Sequence, residues 1–294
     1  MQNSDHHISS YIGARFAQQG VRFFHAENIE GIRAHCEAGH LLCRQKLMEA
    51  IPDAYTHFES DPYDVAYGFD VRVFGNIYDL GAIYARANLG SSQNPAAPNI
   101  YGPIVLVFRP DVFSVMRDIV ITPKSSWKTK PKWREVSVQT EAQVEELLTP
   151  DQPKDNIADT WQYAELSCAN PKIPLSYLEK ILVEPLTLPG MPTRRELLHV
   201  VRKIAERCRI HVPIEARDFT DRTQRFKPAN LELLQRLAGF CEQIPPDVTQ
   251  QTWASTPFVL PPEFQQLPNS MTGKMMRFAR YYTFGTVRAR PRVA

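Results

Sequence analysis

The 294-residue chain lacks the parts on which several large enzyme classes depend. It has no G-x-x-x-x-G-K-[ST], no G-x-G-x-x-G, no G-x-S-x-G and no H-E-x-x-H. The phosphate cradle of P-loop enzymes, the Rossmann dinucleotide turn, the nucleophile elbow of α/β-hydrolases and the zincin helix therefore have nothing to be built from. Its five cysteines are odd in number and never spaced C-x-x-C, which argues against a disulfide framework and fits reduced thiols. The longest apolar runs, such as Ile104–Phe108, fall far short of the roughly 18 residues that span a bilayer, and Met1–Ser10 is polar with no apolar signal core. A cytoplasmic protein that stays off membranes is expected. Acid is missing from the end of the chain: after Glu263 come Lys274, Arg277, Arg280, Arg288, Arg290 and Arg292 with no carboxylate among them.

What is present is enough for one large core. The chain is 43% hydrophobic and 22% charged, with 24 prolines, which is too apolar for a disordered chain and too evenly charged for a coiled coil. Net charge is only +2, but residues 219–294 hold ten Lys/Arg against five Asp/Glu, so a basic end follows a near-neutral body and would suit an anionic partner. There is no internal repeat. Val21–His25 predicts a strand, and Asn28 opens an amphipathic helix through Ile29, Ile32 and Cys36 that stops at Gly39. Val71–Phe74 and Ile77–Leu80 are strand-like pieces around Gly75-Asn76, 90–95 is a Gly/Ser/Asn/Pro loop, and Ile104–Phe108 is a buried strand. Further along, a helix over Glu141–Leu148 and strands at Tyr163–Cys168 and Ile181–Val183 are expected. They are followed by a helix with Leu197, Val201, Ile204, Ala205 and Cys208 on one face, and by an alternating strand at Ile210, Val212 and Ile214. The core closes near residue 218, which divides the chain into a domain of 1–218 and a helical and extended appendage of 219–294, with a helix at 228–243 and the basic tail. The architecture is α+β.

Two groups of residues invite a chemical reading from type and spacing alone. His35, Cys36, His40 and Cys43 are all of metal-ligating type, but their spacing matches no established zinc pattern and Gly39 breaks the helix that would align them; no metal is expected. The stretch 124–134 carries Lys124, Lys128, Lys130, Lys132 and Arg134 interleaved with Trp127 and Trp133 and without an acid. Indole rings that stack on unpaired bases while cations follow phosphates make a single-strand platform, each stacked base contributing roughly 1–3 kcal/mol. The plainer alternative is a solvated basic loop with one tryptophan docked in the core. The tail 274–292, which adds Phe278, Tyr281, Tyr282 and Phe284 to its cations, could equally bind nucleic acid, dock a partner or cover the core.

A third constellation is the most informative. Phe24-His25-Ala26-Glu27-Asn28, followed by a helix and Gly39, precedes the distant Tyr163-Ala164-Glu165-Leu166-Ser167-Cys168, then Ile173-Pro174-Leu175 and Ile181-Leu182-Val183. Over residues 20–218 this resembles the DarT family of nucleic-acid ADP-ribosyltransferases, in which a first strand ends in a polar turn with Asn before a helix, and the catalytic glutamate lies in an Ala-Glu strand. The resemblance implies an ADP-ribosyltransferase-like fold of two facing twisted sheets with flanking helices. It implies transfer of ADP-ribose from NAD to a base of single-stranded DNA or RNA with release of nicotinamide. It also implies a toxin restrained by a protein antitoxin, within a toxin-antitoxin or phage-defence system. Glu165 then becomes the catalytic carboxylate, His25 and Asn28 hold nicotinamide or ribose, and Tyr78 or Tyr84 stacks on the nicotinamide. The family's Tyr-Phe-x-Pro-Arg run is not evident, so the catalytic arginine falls either to Arg86, in Ile83-Tyr84-Ala85-Arg86, or to Arg72.

The chemistry asks for such residues. Loss of nicotinamide builds positive charge on the ribose, which an ionised carboxylate stabilises more in the transition state than in the ground state. The same carboxylate can take a proton from an attacking base nitrogen, and an arginine pairs with pyrophosphate by charge-assisted hydrogen bonds. Each residue has a structural use too: Glu165 on a solvated strand face or in a salt bridge, His25 as a strand-end hydrogen bonder, Asn28 as a helix N-cap. The rival functions are a protein-directed ADP-ribosyltransferase or NAD hydrolase, and a non-enzymatic nucleic-acid-binding protein.

Overall fold

In chain order, a computed structural model gives α1 (Gln2–Gln18), β1 (Phe23–Glu27), α2 (Ile29–Ala38), β2 (His40–Leu42), α3 (Arg44–Ala50), α4 (Pro62–Ala66), β3 (Val73–Asn76) and β4 (Ile104–Phe108). It continues with β5 (Val120–Thr122), α5 (Glu141–Leu148), β6 (Glu165–Cys168), β7 (Lys172–Pro174), β8 (Leu178–Val183), α6 (Leu197–Arg207) and β9 (Ile214–Ala216). The structure describes residues 2–27, 29–50, 62–79, 104–123, 126, 131–149, 164–183 and 197–216. Asn28, Tyr84, Arg86, Trp127, Lys128 and Lys130 lie outside them, as do the 90–95 loop, the boundary near 218 and the whole appendage.

The expected strand at 104–108 and helix at 141–148 fall where the pattern put them; a reciprocal Thr140–Gln143 capping box fixes the start of α5. Gly39, at φ +65, stops α2 in the left-handed region that a glycine enters without strain. Elsewhere the boundaries move. Gly75 and Asn76 lie inside β3 rather than between two strands, and the last strand is 214–216, not 210–214. No helix among the described residues is long and apolar enough to cross a membrane.

Seven strands form one mixed, mostly antiparallel sheet in the order β5-β6-β3-β1-β4-β8-β9, with β2 and β7 in a separate two-stranded ribbon. Only β8 and β9 run parallel. One sheet face, made of Phe23, Val73, Leu166, Cys168, Ile121, Ile104, Leu106, Phe108, Ile181 and Val183, is buried in the main core with Ile12 and Phe16 of α1, Ile32 of α2 and Val201 and Ile204 of α6. At about 25 cal/mol per Å² such burial is the main force holding the helices on the sheet. The helix α1 is fastened at its rim by Tyr11 and Arg15, which both donate to Glu145 of α5.

The centre of the sheet is narrow. β1 pairs with β4 over five residues but with β3 at a single pair, Phe24 with Asn76. The sheet is thus two blocks, β5-β6-β3 and β1-β4-β8-β9, joined at one point. Gly75 permits the join, because a Cβ there would strike the Phe23 ring and the Phe24 carbonyl.

Candidate functional site

Glu165 opens β6, opposite Asn76 of β3 and Thr122 of β5, so all three lie on the sheet face turned away from the main core. Its half-buried carboxylate is aimed by the backbone: Oε1 accepts a hydrogen bond from Ser126 N at 2.7 Å. Asn76, buried, donates from Nδ2 to Ala164 O at 2.9 Å and so pins the residue before the glutamate. The Thr122 hydroxyl lies 3.4 Å from that of Ser126. A carboxylate that accepts a backbone N–H has one oxygen fixed in direction by a charge-assisted hydrogen bond.

Across the junction, His25 and Glu27 share the core-side face of β1 with Phe23, opposite the face that carries Glu165, and meet His35 of α2. Glu27 is 9% exposed and His35 fully buried. His35 Nε2 stands 3.2 Å and His25 Nε2 3.5 Å from Glu27 Oε2. His25 Nδ1 lies 2.7 Å from Phe74 O, so the imidazole bridges the two blocks just where the β1–β3 ladder stops. Gly31, four residues before His35 and hence on the same side of α2, leaves space that a Cβ would take from the Glu27 carboxylate. Burial by itself would raise the Glu27 carboxyl, but the two imidazoles outweigh it and hold the group below the usual carboxylate range. Burial pulls His35 down against the opposing pull of Glu27.

Arg72 is not at the Glu165 end. Just before β3, where Val73 faces Cys168, it is four residues from Asn76, the partner of Glu165, roughly 13 Å at about 3.3 Å per residue. Its guanidinium, 5% exposed, donates to Asp118 Oδ2 at 2.6 Å, to Asp118 O at 2.5 Å and to Ser167 Oγ at 3.1 Å. Burial pushes Asp118 up, but its bonds to Arg134 and Arg72 prevail and its carboxyl is lowered. Trp133 completes this cluster. Its ring is 6% exposed, packed on Phe69, with the Arg134 and Arg72 guanidinium carbons 4.6 and 5.3 Å from its centroid. Two guanidinium groups and Phe69 thus pack against a buried indole. Lys132 is exposed, 3.9 Å from Glu135. Tyr78, half-buried against the core, donates its hydroxyl to Leu147 O at 2.9 Å.

The four residues His35, Cys36, His40 and Cys43 do not converge. His35 turns to Glu27, His40 Nδ1 caps Ala38 O at 2.8 Å, and both cysteines are buried, with desolvation pushing the Cys36 thiol up to about 12. Among the described residues the group of metal-ligating type that does converge is His25, Glu27 and His35, with ligand atoms within 4.8 Å of one another. Sequence gives Glu27 no role of its own and weighs His35 only together with Cys36, His40 and Cys43. The signals for them are the period of two that puts Glu27 beside His25, and the i, i+4 spacing of Gly31 and His35.

The described elements define a mixed α/β fold on a mostly antiparallel sheet. No family model and no curated protein matches the sequence. Among solved structures, the chain is similar to those of DarT from Thermus sp. 2.9. The complex with carba-NAD+ is 12% identical with TM-score 0.41, covering 69% of this chain and 97% of that one. The complex with ADP-ribosylated ssDNA is 11% identical with TM-score 0.40, covering 69% and 95%. The likeness is distant.

Proposed function

We propose that the chain is an ADP-ribosyltransferase that moves ADP-ribose from NAD to a base of single-stranded DNA or RNA and releases nicotinamide. The observation that carries the reading is Glu165. It lies in the Ala-Glu strand that resembles the DarT family, on an edge of the β6–β3 ladder beside the junction of the two blocks, with one carboxylate oxygen fixed by Ser126 N. In this reading NAD lies where the blocks part, the two blocks act as the two sheets that the resemblance implies, and the Glu165 carboxylate faces the ribose carbon as the pyridinium leaves. The carboxylate then takes the proton from the attacking base nitrogen. His25 borders the gap between the blocks from the opposite face. With Arg72 committed to Asp118, the pyrophosphate falls to Arg86; Asn28 and Tyr84 bind the nicotinamide end. Stacking of the acceptor base rests on Trp127, with Lys128, Lys130 and Lys132 along the phosphates, while Trp133 is a packed core residue. A base inside a duplex is not reachable without being flipped out, which is why single strands are the acceptor. A toxin restrained by a protein antitoxin is the biological setting proposed.

The test is incubation of the purified chain with NAD labelled in the adenylate and separate pools of single-stranded DNA, RNA and protein. Label on DNA or RNA that disappears with Glu165→Gln supports the reading. Label on protein, or nicotinamide release without transfer, replaces it with the protein-directed enzyme or the hydrolase. Nucleic-acid binding without NAD turnover leaves a binding protein.

A further inference from the structure

The proposed chemistry makes no use of the buried acid Glu27 or of His35, yet the donors and acceptors around them can be counted to a conclusion. Leu42 N donates to His35 Nδ1 at 3.2 Å, which occupies that lone pair. The proton of the His35 ring is therefore on Nε2, where it is donated to Glu27 Oε2 at 3.2 Å. A ring in this tautomer has no Nε2 lone pair to offer a cation, so the convergence of three ligand-type residues is better explained by a hydrogen-bond relay than by a metal centre.

The other end of the relay is His25. Its Nδ1 faces the Phe74 carbonyl at 2.7 Å, an acceptor with no proton to give, so Nδ1 carries a proton. Its Nε2 is buried without a hydrogen-bond partner, 3.5 Å from Glu27 Oε2. A lone pair there would point at a carboxylate in a site shielded from water, whereas a proton there turns the contact into an attraction. Among the described residues the ionisable groups facing His25 are Glu27 from its own strand and His35 from α2, whose rings stand edge to face at 5.7 Å. β3 contributes the Phe74 carbonyl. Gly31 lets the acid sit between the two imidazoles.

We propose that Glu27 and His35 are positioning residues: they hold the His25 imidazole, protonated on both nitrogens, in the gap where β1 and β3 part, where it borders the proposed NAD site from the core side. The relay runs from Leu42 N through His35 to Glu27, and from His25 to both Glu27 and Phe74 O. It ties α2 and β2 to the orientation of a side chain on the sheet. The protonation pattern stands on hydrogen bonding alone; its consequence for NAD rests on the function proposed above.

Ring nitrogen spectra of the full chain labelled with 15N-histidine, taken at pH 7, test the pattern directly. Two protonated nitrogens on His25, and a single proton on Nε2 of His35, are expected. In Glu27→Gln, His25 falls back to one proton on Nδ1 while His35 keeps its tautomer. A neutral His25 in the unaltered protein, a proton on His35 Nδ1, or displacement of the His35 Nε2 proton by one equivalent of zinc chloride overturns the proposal, the last in favour of a metal site. The unaltered protein decides this even if Glu27→Gln does not fold. In the NAD-cleavage assay, a folded Glu27→Gln should raise KM about tenfold with kcat within about threefold, as a misplaced border does; an unchanged KM would deny it the positioning role. An unaltered protein with the expected spectrum and no NAD turnover sinks the proposed activity and leaves the relay standing.

Discussion

The two ends of the β3–β6 ladder each hold a charged side chain that sequence suggests for catalysis, and they are built in opposite ways. At one end the Arg72 guanidinium is enclosed, its donors spent on Asp118 and Ser167 and its face on Trp133. At the other, Glu165 is half open and steered by a backbone amide and a buried asparagine beside it. A charge enclosed with its counter-ion contributes to folding; a half-buried one aimed by the main chain at a strand end is placed to meet a ligand. The same ladder thus separates a structural ion cluster from the candidate chemistry.

The largest expected effect is at the open end. Glu165→Gln, nearly isosteric, should cut ADP-ribose transfer by about 10²–10³ while the denaturation midpoint barely moves; a matching loss of stability would make the two ends alike. The closed end should behave in reverse. Trp133→Ala is expected to lower the urea-unfolding free energy by about 3 kcal/mol, as buried aromatic truncations do. Arg72→Ala should lower it by about 2–3 kcal/mol, less than for a fully buried pair because Asp118 is partly wet. Transfer per folded molecule should survive both; if Arg72→Ala folds and is inactive, the arginine has a second role. Smaller is Gly31→Ala, whose methyl meets the Glu27 carboxylate: about 1–3 kcal/mol of overpacking by thermal melts.

Smallest per pH unit is acid sensitivity. Glu27 and Asp118 have lowered carboxyls in the fold, so the stability they contribute is present above the unfolded values of about 4 and is lost as pH falls below them. Buried His35 is likewise lowered, so the unfolded chain takes its proton first, below about pH 6.5. Melting temperature should therefore decline as pH falls from 6 to 5 and more steeply below 4. A flat profile from 6 to 5 would mean that His35 is not held neutral.

Local pattern made part of this legible. The alternation and apolar runs of β4, α5 and α6 are decided within one segment, and so they were readable. Short strands were not: β2, β5 and β7 have three residues each, too few to show a period, and exist because partners pair with them. The β3 glycine looks like a break in sequence because a turn and a close approach to Phe23 demand the same residue. At the site, Glu165 stood out through its neighbours in sequence. The fates of Arg72 and Trp133 depend on Asp118, an asparagine-like left-handed position at φ 47 far off in the chain, and no spacing rule reaches it.

The first helix has a practical consequence. Ile12 and Phe16 are fully enclosed, Phe16 meets Phe113 edge to face at 5.2 Å, and Gly13 allows the close approach to the Phe113 carbonyl. A gene fragment trimmed to begin at the first obvious strand would therefore uncover the apolar surface that Ile12 and Phe16 seal, and its product should be recovered from inclusion bodies.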